Sequence, residues 1–429
     1  MTAMDRFERD LPASLEGLAA PHTPDYLTDI LGLTAATSQR PAWTFPERWL
    51  PMGEIAQHRA YFPSVPWRPI LVTALLIALA AAALLVVGSQ QRVPPPFGPA
   101  RNGALAYGNG DIYLRDSIDG APRLVIGGPA FDFAAGFTRD GERLTFLRRT
   151  AGTEGSTDER LQMFVADRDG SNVIAVTPPL EAPDWADTAP DSQSVVYITG
   201  NPAAQSLYVA DLRQPGEPRK LDLGDAPMSA SFPNFLGPAG TEVVFRGRVP
   251  GSLGGHSGIF AIHPDGTGLR PITPTDGNPN DGYLFPQPSP DGRYIAYTAW
   301  DPVLEGLRIH LVDLRTGDDR IVTDVSRSDG FATFSPDSQR IVYVSYLPGR
   351  NQIWAGKVDG SEPPLPMGPN YVQKDEQFVS GIFSPDGQSV LVSDPVSQES
   401  RLIDVATGGD GQVIPWAAAD ISGWQRLAP

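Results

Sequence analysis

Five carboxylates recur ahead of a repeated turn, and no other side chains in this chain are better placed to do chemistry together. Asp132, Asp184, Asp281, Asp329 and Glu376 fall 8, 7, 10, 8 and 10 residues before the turn positions Asp140, Asp191, Asp291, Asp337 and Asp386. Acids supplied once per repeat converge when the repeats surround an axis. Such a ring concentrates negative potential, which suits a metal ion or a cationic ligand, or a carboxylate pair acting as general acid and base in a hydrolase or lyase. The competing reading is plainer: each acid turns the chain into a strand, or keeps the surface soluble.

The remaining polar constellations are weaker. His22, His58, His256, His263 and His310 are not accompanied by a Gly-x-Ser-x-Gly elbow. The pair His256-Ser257 lies in a glycine-rich stretch that reads as a solvated loop. Asp167-Arg168-Asp169-Gly170-Ser171-Asn172 begins like a calcium loop but lacks the closing acid, so it reads as a hairpin turn. There is no cysteine, which excludes thiolate nucleophiles, disulfides and Cys-zinc sites. No catalytic residue, metal ligand or cofactor is therefore assigned, and a cation at a channel mouth is the single inorganic partner the acids suggest.

The elements that must position these acids announce themselves through composition. Gly and Pro, 44 of each in 429 residues, make up about one residue in five, against a usual share of roughly 12%. Such a chain is not built of long helices, yet at 41% hydrophobic it can still bury a core. A formal charge of −17 argues against nucleic acid as a partner, because phosphates are repelled.

The turn itself recurs. Its clear copies are Phe334-Ser335-Pro336-Asp337-Ser338, Phe383-Ser384-Pro385-Asp386-Gly387, Pro288-Ser289-Pro290-Asp291-Gly292, Ala189-Pro190-Asp191-Ser192 and Phe137-Thr138-Arg139-Asp140-Gly141, with a degenerate copy at Leu236–Gly240. Aligned positions 140, 191, 239, 291, 337 and 386 are spaced 51, 48, 52, 46 and 49 apart, a period of propellers or solenoids. Each turn precedes a continuous apolar run such as Ile341–Val344, as expected of a strand covered on both faces. A second strand, an Asp-Gly or Thr-Gly turn and a more polar outer strand follow, the outer one tolerating Pro218 or Pro271 as only an edge strand can. Four antiparallel strands form one propeller blade. Asp420–Leu427 reads as an innermost strand with nothing after it, and Gly103–Ile126 as three outer strands with no inner one before them. Joined, they complete a seventh, composite blade. Residues 102–429 then give about 47 residues per blade, whereas a six-bladed ring would need about 55.

Three regions precede the propeller. Between Arg68 and Arg92 lie 23 uncharged residues, enough for a transmembrane helix over 69–88, since about 20 residues cross a bilayer. Ala74, Ala78 and Ala82 are four apart, a spacing that allows close helix approach but follows equally from alanine abundance. Residues 1–68 form a small helical segment, with one apolar face at Phe7, Leu11, Leu15 and Leu18 and a capped start at Thr23-Pro24-Asp25. Six arginines before the span place the N-terminus in the cytoplasm and the propeller outside it, in the cell membrane. The linker 89–101, with Pro94–Pro96 and Pro99, reads as a stiff polyproline spacer of ~40 Å or less. The N-terminal 68 residues carry −2 and the remainder −15, so the acidity belongs to the propeller part.

The Ser-Pro-Asp-Gly turn, the apolar strand after it and the later Asp-Gly turn resemble the TolB-type propeller repeat, over most of residues 103–429. The resemblance implies an all-β propeller, to which the repeat count above assigns seven blades with six as the alternative, and it leaves function open, because such repeats serve binding domains, peptidase side domains and membrane proteins alike. Gln39–Trp43 ahead of the span is similar to the tails of some bacterial anti-sigma-like membrane proteins, although the zinc-binding cysteines of that helix are absent here. The organisation points to a membrane-anchored binding, sensing or scaffold module. Its expected partners are the membrane, a protein, glycan or small-molecule ligand on the propeller, and a cytoplasmic protein at the N-terminal helices. The alternatives are an extracytoplasmic hydrolase or lyase at the acidic channel and an anti-sigma-like regulator. Strand alternation puts the short turns on one face and the longer loops 150–160, 247–257, 274–282 and 368–377 on the other, where binding is expected.

Overall fold

A computed structural model describes residues 98–428 except 182–185, 201–204, 225–228, 250–255, 275–283, 304, 324–326, 374–378 and 417–420, together with 31–32 and 72–76. Asp184, Asp281 and Glu376 lie outside the described residues, as do most of segments 1–68, 69–88 and 89–101. Residues 72–76 are helical, and among the described residues no helix is long and apolar enough to cross a membrane.

The strands form seven antiparallel blades, which settles the blade number against six. Blade 1 is composite: Ile421–Leu427 pairs with Arg101–Gly110, followed outward by Ile112–Arg115 and Arg123–Ile126. The innermost strands of blades 2 to 7 are Phe131–Phe137, Ala186–Thr188, Ser229–Leu236, Leu284–Pro288, Ser328–Phe334 and Ser380–Phe383. These inner strands surround the central channel, as in propellers generally. The apolar runs become second strands. Ile341, Val342, Tyr343 and Val344 are all 3% exposed or less, because neighbouring blades cover both faces of the sheet.

A repeated cross-strand pair fills the middle of blades 2 to 5. Phe146 stacks on Phe164, Tyr197 on Tyr208, Phe245 on Phe260 and Tyr297 on His310, with ring centroids 5.0–5.9 Å apart. Directly opposed aromatic rings contribute about 0.5–1.5 kcal/mol each beyond their buried area. His310 thus occupies an aromatic position, and its Nδ1 lies 3.1 Å from Asp319 Oδ1.

The turn module explains its own sequence. Ser335 Oγ donates to Asp337 Oδ1 at 2.5 Å and accepts from the Arg340 amide at 2.9 Å, while Asp337 Oδ1 also accepts from the Gln339 amide at 3.0 Å. Ser289 with Asp291 and Ser384 with Asp386 repeat this geometry, and Thr138 with Asp140 substitutes one hydroxyl for another. The Asp-Gly turn at Asp167–Asn172 is a hairpin, with the Asp167 amide bonded to Ser171 O at 2.9 Å. Gly170 there has φ +87°, and a Cβ on it would collide with the Val125 carbonyl of blade 1, so both backbone and space demand glycine.

Ring closure rests on Gln425, 2% exposed. Its Oε1 accepts from the Ala104 amide at 3.1 Å and its Nε2 donates to Gly141 O at 2.6 Å, joining the last strand to the first and to blade 2.

Four features differ from expectation. His256 and Ser257 are not in a loop but begin the strand His256–Ile262, paired with Val249 and Arg248. Gly368–Val372 belongs to the strand Leu365–Val372 rather than to a long loop, because Tyr371 and Met367 bury against blade 7. Outer strands shrink to pairs such as Arg219–Lys220 and Arg270–Pro271, since little partner backbone remains at a blade's rim. Finally, the end of the linker is pinned rather than free. Gly98 donates to Pro336 O at 2.9 Å and Ala100 to Pro385 O at 2.8 Å, while Arg426 donates to Gly98 O at 2.6 Å. The chain therefore reaches the propeller on the turn face.

Candidate functional site

The channel is layered, because the innermost strands run from the long-loop face to the turn face and carry equivalent residues at equivalent depths. The acids come first. Asp132 and Asp329 lie opposite Arg148 and Ser345 on the second strands of their own blades. Asp132 is 1% exposed and takes a two-pronged bond from Arg148, at 2.7 and 2.8 Å. That hydrogen bond raises the Arg148 pKa, with burial opposing it and the charge of Asp132 adding to it. The guanidinium also lies over the Phe164 ring at 4.7 Å. Asp329 is fully buried and accepts from Ser345 Oγ. Desolvation pushes its pKa up, opposed by Ser345 and by the Arg327, Thr323 and Arg308 side chains. Asp132 thus turns into its own blade, and Asp329 toward Ser345 of its own blade and Arg308 and Thr323 of blade 5. Among the described residues no three His, Asp or Glu side chains gather to hold a metal ion.

One layer deeper lies a feature the acids had overshadowed. The innermost strands of blades 2, 4, 5 and 6 each contain a bulge, where two residues oppose one. The first bulged residue has positive φ: Ala134 at 51°, Phe232 at 52°, Phe285 at 53° and Phe331 at 55°. A bulky L-residue in that region costs about 1–2 kcal/mol, and strain of this kind collects at functional positions. The rings meet across blade boundaries. Phe232 and Phe285 centroids are 4.3 Å apart, and Phe285 and Phe331 are 4.1 Å apart. All three rings are half-buried. The sequence signal was present: these residues precede their turn positions by 7, 6 and 6, the same offset reckoning that singled out the acids.

Below the aromatic layer is a polar belt from the first residue after each bulge, including Asn234, Gln287 and Thr333, with Asp187 at the same level in blade 3. Asp187 Oδ1 pairs with Arg139 at 3.1 Å and its Oδ2 accepts from the Phe235 amide at 2.9 Å, tying blades 2, 3 and 4. Asn234 donates to Pro286 O at 2.9 Å. A cavity of about 180 Å³ opens among these groups. Nearby, burial and then the charge of Arg139 lower the pKa of Arg426 to about 10. The turn aspartates sit on this face. Asp140, Asp191, Asp291, Asp337 and Asp386 each accept, through Oδ1, the amide two residues on, at 2.9–3.1 Å.

Two larger cavities adjoin the channel. One, of about 570 Å³, lies among blades 1, 2 and 3 beside Trp424, Met163 and Tyr197, and it is bordered by Leu180 and Ala186, between which residues 182–185 are outside the described set. The other, of about 300 Å³, lies between blades 6 and 7 against Phe285, Phe331, Val344, Ile353 and Ser380.

The fold and its layered channel define a seven-bladed β-propeller closed by a composite blade. No protein-family model matches the chain. It is 29% identical over 217 residues to an uncharacterized protein of Agrobacterium fabrum, covering 50% of this chain and 67% of that one. Among solved structures, the periplasmic gluconolactonase PpgL of Pseudomonas aeruginosa is similar at a TM-score of 0.52, with 16% identity over 76% of this chain and 99% of that one. A prolyl endopeptidase reaches the same TM-score of 0.52 at 12% identity, over 73% of this chain and 49% of that one. TolB from Acinetobacter baumannii has a TM-score of 0.43 and 18% identity, over 68% of this chain and 69% of that one. At these identities the likeness is one of fold.

Proposed function

We propose that this chain is a binding module: a propeller held on a membrane anchor at 69–88, N-terminus in the cytoplasm and propeller outside it, that recognises a ligand through its channel and long-loop face. The observation that carries the reading is the pinning of Gly98 and Ala100 to the turn face. The longer loops stand at the opposite mouth of the channel, where a rigid scaffold usually carries its binding groups. Arg148 occupies both carboxylate oxygens of Asp132, which supports binding over acid–base turnover at that residue. The 23 uncharged residues between Arg68 and Arg92 support the anchor.

The absence of native cysteine makes topology directly testable. Val303, 87% exposed, is replaced by cysteine in one variant and Ala20 in another, and intact cells are treated with a membrane-impermeant maleimide. Labelling of V303C alone is expected, and labelling of A20C alone overturns the orientation. Binding is tested by thermal shift of the full chain against peptides, oligosaccharides and small neutral compounds, with mass spectrometry of what is recovered. A compound that raises Tm and returns unchanged supports a binding module. A compound that returns cleaved by wild type, but not by a folded D132N or D329N variant, overturns it.

A further inference from the structure

One register sets the polar belt at the turn-face end of the channel. Asp187, Asn234, Gln287 and Thr333 lie opposite Val196, Val244, Ala296 and Val342. Each of those partners stands at the same remove from its own turn position (191 to 196, 239 to 244, 291 to 296, 337 to 342). Blades 3 to 6 thus present a hydrogen-bonding side chain at one depth, whereas blades 2 and 7 have Gly136 and Ile382 there. The cavity of about 180 Å³ opens among these four side chains and Arg139. Two of the groups are fixed. Asp187 is held by Arg139 and by the Phe235 amide. Asn234 commits its amide nitrogen to Phe232 O at 3.1 Å and Pro286 O at 2.9 Å, which leaves Oδ1 as its remaining acceptor. The other two, Gln287 and Thr333, make no side-chain hydrogen bond among the described residues. The Arg139–Asp187 pair that borders the space carries no net charge.

We infer that this cavity binds a small neutral polyol, about the size of a monosaccharide, which the belt grips through its hydroxyl groups. The inference rests on the binding-module reading and adds a second site at the turn-face end of the same channel. A hydroxyl both donates and accepts. Neighbouring hydroxyls of one ligand can therefore donate to Asp187 and Asn234 Oδ1 while they accept from Gln287 and Thr333. Acceptors already held in place lose little freedom when a ligand arrives, which lowers the cost of association. At ~30 Å³ per water the space holds about six waters, and a compact ring bearing hydroxyls replaces them group for group. An apolar ligand is disfavoured, because the Asp187 and Asn234 oxygens would lose water without gaining a donor.

The test titrates myo-inositol and D-glucose against the full-length chain in lipid nanodiscs, read by saturation-transfer NMR with empty nanodiscs subtracted. Cyclohexanol, the inositol ring with a single hydroxyl, is the control and needs no variant. Saturable binding of at least one polyol is expected, with cyclohexanol at least about tenfold weaker. Q287A should weaken the polyol about tenfold and T333V about threefold, the range for one hydrogen bond each. Both variants should melt as wild type does, since neither side chain holds a bond within the fold. No saturation by either polyol means a channel that holds only water and overturns the inference. So does cyclohexanol binding as tightly as the polyols, or folded Q287A and T333V both binding as wild type does. If neither polyol saturates while a compound of the thermal-shift panel binds wild type and both variants alike, the binding-module reading stands and this site falls.

Discussion

The hydroxyl of Ser338 in blade 6 accepts a hydrogen bond, 3.1 Å long, from the amide of Asp291 in blade 5. Ser338 stands where other repeats have glycine, and it keeps glycine's backbone, with φ 61°. Ser192 does the same for Asp140, at φ 60° and 2.9 Å, and Asn102 receives the Asp386 amide at 3.1 Å. Neighbouring turns are thus stapled on the turn face by side chains, the two serines set at strained positions.

Replacing Ser338 separates strain from staple. S338A keeps the unfavourable backbone and loses the bond, and should destabilise by about 1–2 kcal/mol. S338G loses the bond but relieves backbone strain of about 1 kcal/mol, so it should fall closer to wild type. Denaturant unfolding of both variants measures the difference, and S338G falling below S338A would contradict it.

The Asp132–Arg148 pair should respond asymmetrically. Asp132 has a side chain 2% exposed and Arg148 one 26% exposed. R148A strands a buried carboxylate and should cost about 3 kcal/mol or more. D132A leaves a guanidinium that still reaches water and should cost less. Thermal melts of the two single variants and the double variant decide it, the double being milder than R148A alone.

Asp329 predicts a pH dependence of opposite sign to most paired acids. Its folded pKa is raised by burial, so between the unfolded value of about 3.9 and that raised value the folded state holds the extra proton. Its contribution is fullest below the unfolded value and is lost as pH rises through the window. Arg308, Arg327, Ser345 and Thr323 face the carboxyl and limit how far the window extends. D329N should be more stable than wild type at pH 7, and its advantage should shrink as pH falls toward 4. Melting curves across that range show whether the two converge.

Phe285 inverts the usual rule that glycine weakens a strand. At φ 53° alanine keeps the strain while glycine sheds it, and both lose the ring. F285G should therefore be about 1 kcal/mol more stable than F285A. Equal unfolding midpoints would show that the backbone relaxes when the ring goes.

Much of the architecture was legible because it repeats. Six copies of one turn gave the period, and the split of four strands between Gly103–Ile126 and the C-terminus gave the composite blade. The acids were legible as a recurrence, but their partners were not. Arg148 and Ser345 each lie 16 residues beyond their acid, on a neighbouring strand of the same blade, and only register brings them opposite. The phenylalanine layer was hidden for a related reason. A bulge shifts which face a side chain takes, and apolar-polar alternation cannot report that. Ser192 and Ser338 were likewise hidden, since serine ordinarily does not signal a left-handed backbone.

Closure through Gln425 sets an order of events in synthesis. Arg101 bonds to Ala428 O across 327 residues, and no earlier part of the chain can replace that strand. A nascent chain therefore leaves the open edge of the strand carrying Leu105 and Ala106, later buried to 1% or less, without its partner until Ile421–Leu427 has left the ribosome. Six blades precede the seven-residue strand that completes the first one. Contacts this distant in sequence are slow to form, so the C-terminal strand is where a truncation, a tag or a premature stop would leave the most adhesive surface exposed.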